Sequence, residues 1–274
     1  MRSRIFCSFL FLTMNISPAF SKKIELLVFD RGEIKNELPR NFRDLSEFGL
    51  NAIASGQFSE KELAAVQQKY PNEKILVVDL RRESHGFING HAVSWRSPFD
   101  QSNIEKKIEK ILRDEESHLN LLKKNEEIIV NKILEKDEKN GWYKEVEPEI
   151  ILVTEVLTEE NLVKKFGFEY KRIPVRDHAS PDQNQVLEFK KFIKNLPRDK
   201  KIYIHCAAGK GRTTTFLTLY DIMKNGDKMS LKEIFIRQAK AGGKRLDEIG
   251  EDEKWRENLA RERLNMIREF YRTR

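Results

Sequence analysis

Cysteine is almost missing: the chain has two, Cys7 and Cys206, too few for a disulfide framework. No apolar run reaches the roughly 20 residues needed to span a bilayer; the longest, IFCSFLFLTMNI near the N-terminus, falls short, and nothing downstream rivals it. No stable membrane association is therefore expected. The five histidines are scattered and never fall with Cys, Asp or Glu at metal-ligand spacing, so neither a metal nor another cofactor is expected. Basic residues do not interleave with aromatics, which gives no reason to expect a nucleic-acid partner. Heptads, internal repeats and low-complexity segments are lacking too. Charge of both signs is plentiful, with 51 Lys and Arg against 44 Asp and Glu. That excess favours an anionic partner without naming one.

The first residues read differently from the rest. MRSR precedes the apolar run, and SPAFSKK follows it, with Ala19 and Ser21 at minus three and minus one to a cut before Lys22. This is the layout of a secretory signal peptide over residues 1–21, leaving 22–274 as an exported protein, periplasmic or secreted. Cys7 would leave with the signal, and it lacks the context of a lipoprotein cysteine. Cys206 then has no partner for an intramolecular disulfide, so it is either an inert core thiol or a reactive one.

Short β-branched runs bounded by polar turns predict strands at 24–29, 74–80, 149–156, 170–175 and 201–206. Helical spacing follows several of them. Ser102 and Glu105 form a capping box ahead of Ile104, Ile108, Ile111, Leu112, Leu119 and Leu122. Further stripes are Phe189, Phe192, Ile193 and Leu196; Phe216, Leu219, Tyr220 and Met223; and Trp255, Leu259, Met266 and Phe270. Strands alternating with helices predict an α/β domain with a central, mostly parallel sheet flanked by helices. Residues 125–157 break the pattern with two strand-like runs around a charged turn, predicting a small β insertion, with 24–38 as a candidate partner for it.

The stretch YIHCAAGKGRTTT places Cys206 and Arg212 on either side of five residues, between a strand and a helix. Backbone N–H groups of Ala207, Ala208, Gly209, Lys210 and Gly211, turned inward and joined by the helix N-terminus, would cradle an oxyanion. Gly209 and Gly211 permit the close approach, and Arg212 supplies a planar fork for two phosphate oxygens. The same field favours a thiolate at Cys206, to which Thr213 can donate, while His205 orients the loop. A thiolate attacking phosphorus needs a general acid for the leaving oxygen. Asp177 and Asp182, in IPVRDHASPDQ, are the candidates; Asp177 ends a strand at the sheet edge where YIHC also ends, and Asp182 suits a helix cap.

HCAAGKGRT resembles the signature loop of the cysteine-dependent, protein-tyrosine-phosphatase-like superfamily, and DH, 29 residues before the cysteine, resembles the acid loop of its inositol-phosphate and phosphoinositide branches. LPRNFR (38–43), VDLRRESHGFING with VSW (78–90 and 93–95), and WRENLARERLNMIREFYR (255–272) are similar to bacterial protein-tyrosine-phosphatase-like phytases. The resemblance runs from Leu38 to Arg272 and is weakest over 96–150. It implies a phosphatase core with a small partial β-barrel, and metal-free, stepwise hydrolysis of inositol hexakisphosphate. By motif match Cys206 is the nucleophile, Asp177 the general acid and Arg212 the phosphate clamp. Arg43 and His178 carry over as substrate contacts and, more loosely, Glu83 as a pocket residue. Lys210 departs from the family, where an apolar residue is common, and resembles the phosphoinositide phosphatases; it adds a candidate phosphate contact. The expected partner is a small inositol polyphosphate. The alternative is a secreted phosphatase acting on phosphotyrosine or phosphoinositides, which would need a deep narrow slot in place of a wide basic bowl. Oligomeric state has no signature in the sequence.

Overall fold

The structure, a computed structural model, describes residues 25–30, 37–97, 103, 106–137, 139, 141–250 and 254–274. The signal segment expected at 1–21 and the pair Ser102 and Glu105 lie outside the described residues.

Five strands form the central sheet in the order β10 (Glu169–Val175), β4 (Lys74–Arg81), β11 (Lys200–His205), β3 (Ala52–Ser55) and β2 (Arg43–Asp44). The first four run parallel, and β2 closes one edge antiparallel to β3. A parallel sheet must be covered on both faces, and the side chains alternate accordingly. Ile202 and Ile204 of β11 enter one hydrophobic cluster while Tyr203 between them enters the other; in β4, Leu76, Val78 and Leu80 face the first, Ile75 and Val77 the second. Each such buried side chain contributes about 1.5–3 kcal/mol.

The first face is covered by α4 (Gln183–Lys194), α5 (Gly211–Asn225), α6 (Leu231–Lys240) and α7 (Lys254–Arg272), through Phe189, Phe216, Ile234, Ile267 and Phe270. The second is covered by α1 (Glu60–Lys69) and α3 (Glu159–Lys165), through Leu63, Val66, Leu162 and Val163. Three of these helices start on full capping boxes, at Ser59, Asp182 and Ser230. Asp182 is thereby occupied as an N-cap, accepting from the Gln185 N–H at 2.9 Å.

A second, six-stranded sheet runs β8 (Trp142–Leu152), β7 (Glu127–Asp137), β1 (Leu26–Phe29), β6 (His91–Arg96), β5 (His85–Ile88) and β9 (Val156–Leu157). The long hairpin of β7 and β8 reaches the other strands through β1, where Val28 registers with Asn131. Between them α2 (Ile108–Leu122) inserts Leu119 among Val93, Val130 and Val156. Among the described residues no helix is long and apolar enough to cross a membrane.

The structure departs from the sequence reading at several points. β11 stops at His205, so Cys206 opens the loop instead of ending the strand. The run 149–156 is split, β8 ending at Leu152 and β9 starting at Val156, because Asn89 binds the intervening backbone N–H groups of Thr154 and Glu155. In α7 the buried stripe is Arg263, Leu264, Ile267 and Phe270, since the helix turns a charged residue toward the sheet edge. β4, β10 and β11 all end on that edge, which brings Glu83, Asp177 and Cys206 together.

Candidate active site

The loop from Cys206 to Arg212 is held from outside by the segment 40–43. Arg40 Nη2 donates to the Ala207 carbonyl at 2.5 Å, Asn41 Nδ2 to Ala208 at 2.8 Å and Arg43 Nη1 to Gly209 at 2.9 Å. A trans peptide sets each C=O opposite the following N–H. Three carbonyls tied outward therefore turn the N–H groups of Ala208, Gly209 and Lys210 toward the cleft. Gly209 has φ +72°, and a Cβ there would stand 2.4 Å from Gly56 N, so only glycine fits against β3. Cys206, 2% exposed, sits at the floor, where Thr213 Oγ1 donates to its Sγ at 3.1 Å.

Arg212 is equally buried, and Glu83 receives it in a two-pronged pair, Nη1 to Oε2 at 2.7 Å and Nη2 to Oε1 at 3.0 Å. Its Nη1 also donates to the Val175 carbonyl at 3.1 Å, while Nε is buried with no partner among the described residues. Burial alone would push the Glu83 carboxyl up, but Arg212 and Arg81 hold it well below the ordinary range. Asp177 approaches from the other side, its Oδ1 3.1 Å from Arg212 Nη2 and accepting from the His178 N–H at 2.9 Å. Burial raises its proton affinity; the charges of Arg212 and His178 lower it further, so the carboxylate is ionised.

Above this floor opens a cleft of about 820 Å³, walled on one side by the β7–β8 hairpin with Lys132, Ile133, Trp142 and Tyr143. Among the described residues eight cations line it, namely Arg40, Arg96, Lys132, Lys136, Lys210, Lys244, Arg256 and Arg263, against the carboxylates of Asp30, Asp137 and Asp177.

A model of the PTP-like phytase family, described by the words inositol hexakisphosphate, matches residues 78–224, more than half of the 274-residue chain. The chain belongs to the PTP-like phytase family. It is similar to the PTP-like myo-inositol phosphatase of Mitsuokella multacida, solved in complex with myo-inositol-(1,3,4,5)-tetrakisphosphate, at 34% identity and a TM-score of 0.82 over 91% of this chain and 45% of that one. A PTP-like phytase from Bdellovibrio bacteriovorus matches at 29% identity and TM-score 0.74, over 91% and 88% of the two chains. The effector protein hopD2 of Pseudomonas syringae pv. tomato is 23% identical over 246 residues, 85% of this chain and 52% of that protein. The chain thus spans about half the length of the Mitsuokella and Pseudomonas relatives.

The structure of this family member brings Cys206, Arg212, Asp177, Glu83, Thr213 and His178 to one place and sets others apart. Arg43 lies beneath the loop, buried, and donates to Gly209 O and Asn41 O; burial, opposed by Cys206, pushes its pKa down to about 10. It braces the cradle and does not line the cleft. Lys210 lines the cleft and donates from Nζ to the Gly242 carbonyl at 2.9 Å. Glu83 works behind Arg212, which makes it an orienting carboxylate. His205 is buried against the Phe58 ring, with Nε2 2.7 Å from Glu159 Oε1 but without the angle of a hydrogen bond. Asp79, Glu159 and His205 bring donor atoms within 4.8 Å of one another, yet Arg172 stands 3.0 Å from Asp79 and His85 3.1 Å from Glu159. Counter-charge is thus already supplied from within the protein. Arg40, Asn41, Lys244 and Arg263 were not singled out from the sequence; LPRNFR was the one signal that could have pointed to the first two.

Proposed function

We propose that the protein is an exported phosphoric monoester hydrolase that removes phosphate from myo-inositol polyphosphates through a phosphocysteine. The observation that carries this reading is the placement of Cys206, Arg212 and Asp177 at the floor of a wide, cation-lined cleft. A phosphotyrosine enzyme would instead need a narrow slot. The tetrakisphosphate held by the Mitsuokella relative supports the same substrate class.

In the first step the Cys206 thiolate attacks phosphorus, the S–P bond forms and the bond to the ring oxygen breaks. Asp177 gives that oxygen its proton. Water then attacks the phosphocysteine, Asp177 takes a proton from it, the S–P bond breaks, and orthophosphate leaves with the thiolate restored. The inward N–H groups and Arg212 bear the charge of the three non-bridging oxygens throughout. Asp177 must be protonated to begin, although facing Arg212 alone it is ionised. A phosphate dianion in the loop takes up the Arg212 charge and adds a negative neighbour, and both changes raise the proton affinity of Asp177. Substrate and proton therefore arrive together.

The same reading makes 1–21 a cleaved leader and 22–274 one phosphatase domain with the β7–β8 hairpin as an insertion. The leading apolar run with its Ala19 and Ser21 cleavage pattern supports export.

The test is phosphate release from inositol hexakisphosphate, p-nitrophenyl phosphate, a phosphoinositide and a phosphotyrosine peptide, with Cys206→Ser as control. The expected result is highest kcat/KM on the hexakisphosphate and no turnover by Cys206→Ser, with substrate binding retained. Preference for the peptide, or a phosphoenzyme at another residue, refutes the proposal.

A further inference from the structure

Arg263 occupies a place on α7 that helix packing reserves for an apolar side chain. It is 5% exposed, next to Leu264 in the stripe that faces the sheet edge. Its guanidinium lies between the 178–179 turn and the start of α5. Nη2 donates to the carbonyl of His178 and, at 3.4 Å, to that of Ala179. On the other side Nη1 lies 3.5 Å from where a Cβ on Gly211 would stand, over the first turn of α5. Nε is buried with no partner among the described residues, and the side chain lines the cleft.

The segment it grips is closed from within by one backbone bond, from the Ala179 N–H to the Arg176 carbonyl at 3.3 Å. His178 has φ +59°, in the left-handed region that a non-glycine residue enters only when its surroundings impose it. α7 supplies the second restraint as well, with the Trp255 ring edge-on to the His178 ring at 5.3 Å and 81°. Asp177, the residue before, has its own carboxylate tied to the His178 N–H, so any rotation of the 177–179 backbone moves that carboxylate.

We infer that Arg263 is a positioning residue for the general acid, clamping the 177–179 turn to α7 so that Asp177 stays aimed at the oxygen leaving the phosphorus. This inference rests on the proposed function. A burial-driven structural role would be blind to the leaving group, whereas a role exercised through Asp177 is felt where the leaving oxygen needs a proton. Inositol alkoxides need one, and p-nitrophenolate needs little help.

Four proteins decide it: R263Q, R263K, D177N and the double variant D177N/R263Q, assayed on inositol hexakisphosphate and p-nitrophenyl phosphate, with thermal unfolding as a check on folding. A displacement of about 1 Å at a reacting group costs about 10²-fold, so R263Q should lose about that much kcat on the hexakisphosphate and about threefold or less on the aryl ester. R263K, which keeps one donor for the His178 carbonyl, should recover part of the loss with the same leaving-group pattern, and it decides alone should R263Q not fold. The double variant should be no slower than D177N. Equal losses on both substrates, or losses that multiply in the double variant, overturn the inference. A small effect of D177N itself would instead overturn the acid assignment of the proposed function, a separate outcome.

Discussion

Replacing Glu83 by glutamine keeps the shape of the side chain and removes its charge from among three guanidinium groups. Glu83 lies 2.7 and 3.0 Å from Arg212, 2.9 Å from Arg81 and 3.8 Å from Arg96. Among the described residues Arg81, Arg96 and Arg212 pair with Glu83, Asp30 and Asp177, and the variant takes one negative charge from that group. Removing one partner of a buried ion pair costs about 3–5 kcal/mol, and in a domain of this size each kcal/mol lowers Tm by about 2–4 °C. A fall of roughly 6 °C or more is expected. The amide cannot accept from both nitrogens of Arg212, so the fork loses its aim and kcat should drop by about 10²-fold. The drop should be similar on inositol hexakisphosphate and on p-nitrophenyl phosphate, because the transferred phosphoryl group is the same. The assay pairs phosphate release on both substrates with thermal unfolding, with and without inorganic phosphate, which should restore more stability to the variant than to the parent. The pH dependence has a definite sign. With the folded-state pKa of Glu83 held well below 4.5, its contribution is complete above the unfolded value and lost as pH falls toward the folded one. The Tm gap between parent and variant should therefore close in acid. A variant with parental Tm and kcat within about threefold would show that Arg212 is oriented by the loop alone.

The remaining predictions use other parts of the site. Asp177→Asn should slow hydrolysis of the hexakisphosphate by about 10²–10⁴-fold, the usual worth of a positioned acid, and the aryl ester far less; Asp182→Asn should leave turnover and stability nearly unchanged, because asparagine caps a helix about as well as aspartate, and the reverse ranking would exchange their roles. Lys244→Ala should raise KM for the hexakisphosphate much more than for p-nitrophenyl phosphate, and added salt should narrow that difference; Arg43→Ala, which loosens the cradle, should harm both substrates alike. His85 is driven down by burial and Arg81 but raised by Asp79 and Glu115 to about 10 from 6.5, so its stabilisation is full below about pH 6.5 and lost as pH rises through 10. His85→Gln should flatten that alkaline decline in Tm, and an unchanged slope would remove His85 from the buried network.

What could be read from the sequence was what lies contiguous in it. HCAAGKGRT carries the proposed nucleophile, cradle and clamp in one short stretch of chain, and the strand before it is a dense β-branched run, so the candidate site and the sheet class were legible. β3 was not, because AIAS is four residues long with one β-branched side chain. Its identity as a strand comes from being paired on both sides by β11 and β2. The family resemblance of LPRNFR implies a substrate contact at Arg43; only its hydrogen bond to Gly209 O shows it facing the back of the loop. The partners of Glu83 and Arg263 lie 129 and 85 residues away, and no spacing rule spans such gaps. Arg263 is hidden further by its neighbours in RENLARER, where one buried arginine looks like its exposed companions.

The ties from segment 40–43 to the loop also bear on folding. Arg40, Asn41 and Arg43 reach partners 166 or 167 residues away, and they hang from a two-residue edge strand secured by one neighbour. Contacts of such sequence separation close late, after the entropy of the intervening loop has been overcome, and an edge strand is among the first elements to open. Catalytic competence should accordingly be the last property gained on refolding and the first lost in mild denaturant. The Ala208, Gly209 and Lys210 amides should exchange with solvent ahead of those in β4 and β11, while the hydrophobic sheet beneath stays whole.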